Sequence, residues 1–461
     1  MATFDSLSLE LIELIALQLV TLIIFEPRTE PLTGTSDLKP LIAPYARVSR
    51  KFQAGIERML YRTYRTSSSD PGGLRLIREN PLRVAAIHEL RYTIDLPDYD
   101  PELRGLARER SKEHRANLVA FQDGLVKLWG ELSAWEKPAS LSLDVQAWSP
   151  GDDQTAEEAE MRWLCPEHTL GIDIDAGVEL PTIECVRELG VARDGRRIYP
   201  ATMNAMVLSL PNLRVLDLAM RPVQFRHKNL KAEYTAALAK MLEAPTLHKL
   251  EELRLCMFEY APGNHDFDTG LENDPSYPNG DALSHAIRKL AQRSLRGLTL
   301  SNGVPISPAL FGPPDDETPF PHLEHARIDF PILTYDGRWY YTGSRETMDA
   351  DELDPDEERE IARGPAIDGA DSDTDSVISI NMDRADFLNG NIPEHPWRTF
   401  PDPDTFDPLM RSIVSATLRM PVLRNIIVCS KVRRETLSEF QDEEERHYAI
   451  AVNFATPGSG E

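Results

Sequence analysis

One short pattern constrains this chain more than any other: Leu-x-x-apolar-x-apolar, returning along its length. It stands as Leu213, Leu216 and Leu218, as Leu250, Leu253 and Leu255, and as Leu295, Leu298 and Leu300. Looser copies are Leu323, Ala326 and Ile328, then Leu423, Ile426 and Val428. Ile87, Leu90, Tyr92 and the run Leu141–Val145 read as earlier members. The alternation at the end of each copy is that of a half-buried strand. Helical stretches at residues 201–210, 229–243, 281–293 and 405–420 precede the first three copies and the last. A helix, a turn and a strand make one α/β unit whose open apolar face is buried only when units stack. The expected fold class is therefore α/β.

This array resembles a degenerate leucine-rich-repeat solenoid, or horseshoe, with insertions between its repeats. Successive first leucines lie at 213, 250, 295 and 323, wider and less regular than the usual period of about 20–29 residues. The alternative is a non-repetitive α/β domain with leucine-rich strands. Within the array, residues 101–130 read as one long helix or a broken pair, from Pro101 at a helix start to Gly130 at a helix stop.

The first 65 residues differ. Leu7, Leu11, Ile15 and Leu19 recur at i+4, one helical stripe. Glu10 and Glu13 inside it argue against a membrane span, and the Met-Ala-Thr-Phe-Asp start lacks the basic residues of a signal peptide. Residues 41–64 read as one or two short helices. Leu7-Ser8-Leu9-Glu10, then Ile15 and Leu19, resembles the opening of an F-box. Val48-Ser49-Arg50-Lys51-Phe52 and Met59-Leu60-Tyr61-Arg62 resemble its later segments. Ser8 stands where the family usually has proline, and the loop at 24–40 is longer than typical. The whole resembles the divergent F-box proteins of filamentous fungi. That resemblance implies docking on the Skp-type adaptor of a cullin–RING ubiquitin ligase, with Leu7, Leu11, Ile15, Leu19, Val48 and Phe52 as apolar contacts or their support. It also implies a protein substrate held on the strand-lined face, with no chemistry performed by the chain itself. A plain helical cap over the end of the array is the other reading.

The expected organisation is a helical module at 1–65, an α/β array at 66–340, an acidic insertion at 341–396, and a last repeat with a tail at 397–461. The formal net charge of −25 sits mainly in two places. Residues 346–375 hold thirteen acids against Arg359 and Arg363, and residues 144–184 hold eleven against Arg162. Such a balance disfavours non-specific nucleic-acid or anionic-membrane partners. The 346–375 segment reads as a disordered insertion. At its end, Val377, Ile378 and Ile380 behind acids resemble a SUMO-interacting motif, and Ser372 with Asp375 three residues on suits an acid-directed kinase. A plain acidic linker remains the alternative.

No phosphate-binding loop, nucleophile elbow or His-Glu-x-x-His motif occurs. Gly263-Asn264-His265-Asp266 resembles one block of calcineurin-like metallophosphatases, but the other ligand blocks are missing; His265 is expected to be an exposed loop residue. The four cysteines are scattered, no pair has metal-ligand spacing, and no Asn-x-Ser/Thr sequon occurs. These features point to a cytoplasmic or nuclear protein with no metal and no cofactor.

Overall fold

The computed structural model describes residues 8, 10–12, 14–15, 18, 43–70, 72–98, 111–136, 140–150, 169–174, 177–191, 196–220, 228–257, 262–270, 281–301, 303–312, 320–344, 387–392, 395–432 and 446–453. Its frame is one ten-stranded sheet. The strands are β1 (Thr63–Ser67), β2 (Glu89–Asp95), β3 (Leu141–Trp148), β4 (Val186–Val191), β5 (Val215–Met220), β6 (Glu252–Met257), β7 (Gly297–Ser301), β8 (His325–Phe330), β11 (Asn425–Val432) and β12 (Arg446–Asn453). They lie in chain order. All neighbours are parallel except β12, which pairs antiparallel with β11. A second, two-stranded sheet joins β9 (Tyr341–Thr342) to β10 (Phe400–Pro401).

The leucine pattern explains the register. Its second position forms one ladder across the sheet, Leu90–Leu143–Leu189–Leu216–Leu253–Leu298–Ala326–Ile426. Its third position forms the next, Tyr92–Val145–Val191–Leu218–Leu255–Leu300–Ile328–Val428. The first position, at Ile87, Leu213, Leu250, Leu295, Leu323 and Leu423, is buried at the turn into each strand. All three belong to a single continuous core shared with the helices. A one-residue slip of any strand would turn its apolar set to the opposite face, so the burial of one face pins the register. At the same turns, backbone bonds run from Arg424 to Glu324, Arg296, Glu251, Arg214 and Arg187. Ion pairs Arg214–Glu251, Arg296–Glu324 and Arg424–Glu324 follow that row at the surface.

The helices are α1 (Arg50–Tyr61), α2 (Gly73–Arg78), α3 (Pro81–Ala86), α4 (Ser111–Ser133), α5 (Pro200–Leu208), α6 (Lys228–Leu242), α7 (Ala282–Arg293) and α8 (Phe406–Thr417). Neighbours α5, α6 and α7 pack side by side. Asp281 caps α7 by accepting from the Ser284 N–H at 3.0 Å. Between Leu295 and Leu323, a spacing of 28, the described residues hold a 3-10 turn, Pro308–Leu310, in place of a helix. Trp129 of α4 lies wholly buried and donates its indole N–H to Ser209 Oγ at 2.6 Å, fastening α4 to the end of α5.

Two expectations need correction. Residues 41–64 are not helical throughout. A 3-10 turn at Ala43–Arg47 and α1 end before Thr63, where β-branched and aromatic residues begin β1. The long helix does not stop at Gly130: α4 runs from Ser111 to Ser133, and residues 101–110 lie outside the described residues. Tyr341 opens β9, and Trp339 makes an isolated bridge to Leu333.

Candidate functional site

Two surfaces could receive a partner. The first involves residues 8, 10–12, 14–15, 18 and 43–61. Ser8 begins a helical turn: its Oγ accepts from the Leu11 N–H at 3.3 Å, and its carbonyl accepts from Ile12. Ser49 caps α1 through its Oγ and the Phe52 N–H at 3.1 Å. Hydrogen bonds to its own backbone N–H and to Ser8 hold the Glu10 carboxyl below its ordinary value, and the Arg58 charge adds to them.

Inside this module Ile12, Phe52 and Ile56 are buried at 0%, 3% and 0% exposure, and none of them joins the array core. Around them Leu11, Leu14, Tyr45 and Val48 stand 50%, 58%, 41% and 49% exposed. These four large apolar side chains stand in solvent and are open to contact with a partner. The module meets the array through α1 and α3, where Arg83 pairs with Glu57 at 3.1 Å and lies over the Tyr61 ring. Of the six residues expected to serve docking, Leu11 and Val48 are exposed, Ile15 is half-buried and Phe52 is buried beneath. Leu7 and Leu19 lie outside the described residues. Ile12, which the i+4 stripe passed over, is the innermost side chain of the turn.

The second surface is the other face of the main sheet. Parallel sheets are as a rule covered on both faces. Here the outward positions are half-exposed or exposed along nearly every strand, and they are polar. One row reads Arg65, Arg91, Asp144, Gly190, Asp217, Arg254, Thr299, Arg327. The row beside it reads Thr63, Glu89, Ser142, Glu188, Val215, Glu252.

Over β1–β5 these rows line an open cavity of about 500 Å³, whose walls include Arg65, Glu89, Arg91, Asp144, Glu188 and Asp217. Gly190 makes the room. A Cβ there would sit 3.2 Å from Asp144 Oδ1. Most carboxylates at the site are partnered. Glu89 accepts from Thr63 Oγ1 at 3.0 Å and pairs with Arg91. Arg254 reaches Glu252 at 2.8 Å, Asp217 at 3.5 Å and Glu188 at 3.6 Å. Asp144 is the exception, with no hydrogen bond to its carboxylate among the described residues. Burial pushes its carboxyl above the ordinary value; Arg91 draws it down, while Glu89, Asp217 and Glu188 push it up.

The Gly263–Asp266 fragment belongs to neither surface, and His265 is not exposed. Its ring lies buried, 4.7 Å from that of Trp339, and its Nδ1 accepts from the Arg398 N–H at 2.8 Å. Arg398 covers the Trp397 ring at 4.0 Å, and Asp266 accepts from Trp397 Nε1 at 3.1 Å and contacts His395 at 2.8 Å. The fragment is a joint that fastens residues 387–401 to the loop after β6. The sequence hid this, because its partners stand some 130 positions away. Burial, with the Arg398 charge added, lowers the His265 pKa to about 4.

Among the described residues no group of His, Cys, Asp or Glu is placed to hold a metal ion. No described helix is long and apolar enough to cross a membrane. Among the described residues Cys185, Cys256 and Cys429 form no disulfide, and the first two are buried. Cys165, Ser372, Val377, Ile378, Ile380 and the acidic run at 346–375 lie outside the described residues. β4 carried a copy of the pattern that sequence reading missed: Val186, Leu189 and Val191, with valine in place of the first leucine. No family model matches the chain, and a search of curated proteins finds none that matches it.

Proposed function

We propose that this chain is a non-catalytic, F-box-type substrate adaptor of a cullin–RING ubiquitin ligase, working in the cytoplasm or nucleus. The observation that carries the reading is the exposure of Leu11, Leu14, Tyr45 and Val48 alongside the buried Ile12, Phe52 and Ile56, which stand outside the array core, within segments that resemble an F-box. A helical cap whose purpose is to seal the array would turn such side chains inward. Docked on a Skp-type adaptor, the four would leave water. The strand array is read as a leucine-rich-repeat-like solenoid. Chain-order parallel strands, one per unit, and burial of all three pattern positions support this. Its strand-lined face would hold the substrate, raising the effective concentration of substrate near the ligase.

Co-purification with the Skp-type adaptor tests the proposal, comparing wild type with a Leu11→Asp, Val48→Asp double variant. Both positions are exposed, so the variant should fold and lose the adaptor. Folded wild-type chain that ignores the adaptor would favour the alternative, a repeat scaffold that binds its partner without a ligase.

A further inference from the structure

We infer that the cavity over Gly190 on the strand-lined face is a recognition pocket for an arginine side chain of the protein partner. The inference deepens the reading of that face as the substrate-holding surface and rests on it.

The charge pattern makes the argument. Glu89, Asp144, Glu188 and Asp217 line the cavity with two cations, Arg65 and Arg91. Arg254 reaches two of these acids from the next strand but is shared with Glu252. Carboxylates therefore outnumber guanidiniums, and the deficit falls on Asp144. A surface optimised only for solubility leaves surplus carboxylates out in water, where desolvation costs nothing. Asp144 is instead half-buried at the floor of a cavity, crowded by three other acids.

The shape selects the cation. The carboxylates stand on separate strands, spaced by the roughly 4.8 Å repeat of a sheet. None of them groups tightly enough to grip a metal ion. A guanidinium is planar, keeps its charge at all working pH values and carries five N–H donors, so it can bridge acids on neighbouring strands. Gly190 leaves space for a long side chain between Asp144 and Asp217, its register partners on either side. The side chain would enter end-on and donate to Asp144, with Glu188 and Asp217 flanking.

The test is a binding titration at physiological ionic strength with the full chain and a labelled Gly-Arg-Gly-Arg-Gly-Arg-Gly peptide. The same peptide with citrulline in place of arginine keeps the shape without the charge. The arginine peptide should bind and the citrulline peptide should not. Asp144→Asn and Gly190→Val, one removing the anchor and one filling the space, should each weaken binding roughly tenfold. An Asp351→Asn, Asp354→Asn variant in the acidic segment should bind as wild type does. Equal binding of the two peptides overturns the inference. So does wild-type affinity in both cavity variants, because attraction would then come from the diffuse acidic field. Circular dichroism shows that each variant is folded. Adaptor co-purification of Asp144→Asn keeps the two proposals apart: a failed titration with intact co-purification removes the arginine pocket alone.

Discussion

The N-terminal module and the strand array solve opposite problems. The array buries its strand leucines in one continuous core and presents charge on the open sheet face, while apolar residues on the outer sides and ends of its helices, such as Leu82, Val414 and Leu418, stay in solvent. The module buries Ile12, Phe52 and Ile56 and leaves Leu11, Leu14, Tyr45 and Val48 in solvent. Apolar area stabilises folding only when it leaves water, at about 25 cal/mol per Å². The strand ladders have already taken that gain; Leu11, Leu14, Tyr45 and Val48 have not. On the proposed reading the two regions would take different partners: an apolar face that closes over the module, and a polar, charged ligand on the array.

The sharpest way to break this comparison is to truncate one leucine in each region. Leu255 lies wholly buried in the second ladder between Leu218 and Leu300. Leu255→Ala removes the side chain and leaves a cavity, and should cost about 2–5 kcal/mol of stability. Leu11→Ala, half-exposed, should change stability by less than about 0.5 kcal/mol. Denaturant melts of the two variants check this. Similar losses would mean that Leu11 belongs to a core after all, and the docking surface would disappear with it.

How much of this was legible in the sequence depends on how local the cause is. The ladders were legible because one short pattern encodes both the strand and its buried face. Helices α5, α6, α7 and α8 were legible from periodicity to within a few residues. β1 was not, because its inward positions are Tyr64 and Thr66 rather than leucines, and β4 was missed because Val186 opens its copy. At the candidate sites, the chemistry of Leu11, Val48 and Phe52 was readable but their division into exposed and buried was not. The i+4 stripe marks a face, and only packing against α1 decides which part of it closes. The cavity was out of reach. Arg91, Asp144, Gly190 and Asp217 are unremarkable residues far apart in the chain, and they become neighbours only through sheet register.

A pH titration sharpens the comparison, because residues 1–65 contain no histidine whereas the array depends on a buried one. His265 has its folded pKa lowered to about 4 from 6.5, by burial and by the facing Arg398 and His395, against the opposing pull of Asp266. A depressed histidine favours the neutral form in the fold. Its contribution is complete above the unfolded pKa and is lost as pH falls towards the folded one. Between about pH 6.5 and pH 4 the wild type should lose on the order of 2 kcal/mol from this group. His265→Gln, whose side-chain oxygen can still accept from Arg398, should show a flatter decline. Carboxylates titrating in the same range affect both proteins, so the difference between their urea midpoints isolates the histidine. Identical slopes would remove the joint from the account of acid stability.

The smallest expected effect bears on the cavity, and its sign is informative. Asp144 has a folded pKa above the ordinary carboxylate value, so the fold prefers it protonated. Its favourable contribution is present at low pH and disappears as pH rises through the folded pKa. At neutral pH the ionised carboxylate is thus a cost to folding. Asp144→Asn should raise the melting temperature slightly at neutral pH, by less than about 1 kcal/mol in stability. The advantage should shrink as the pH falls and the wild-type carboxyl takes up its proton. A core residue kept for packing would lose stability on substitution. A carboxylate that costs stability unless a cation sits beside it is what a binding pocket requires, since function is commonly kept at the expense of stability. If Asp144→Asn melts lower than wild type at neutral pH, Asp144 is a structural partner of Arg91 rather than an anchor awaiting a ligand.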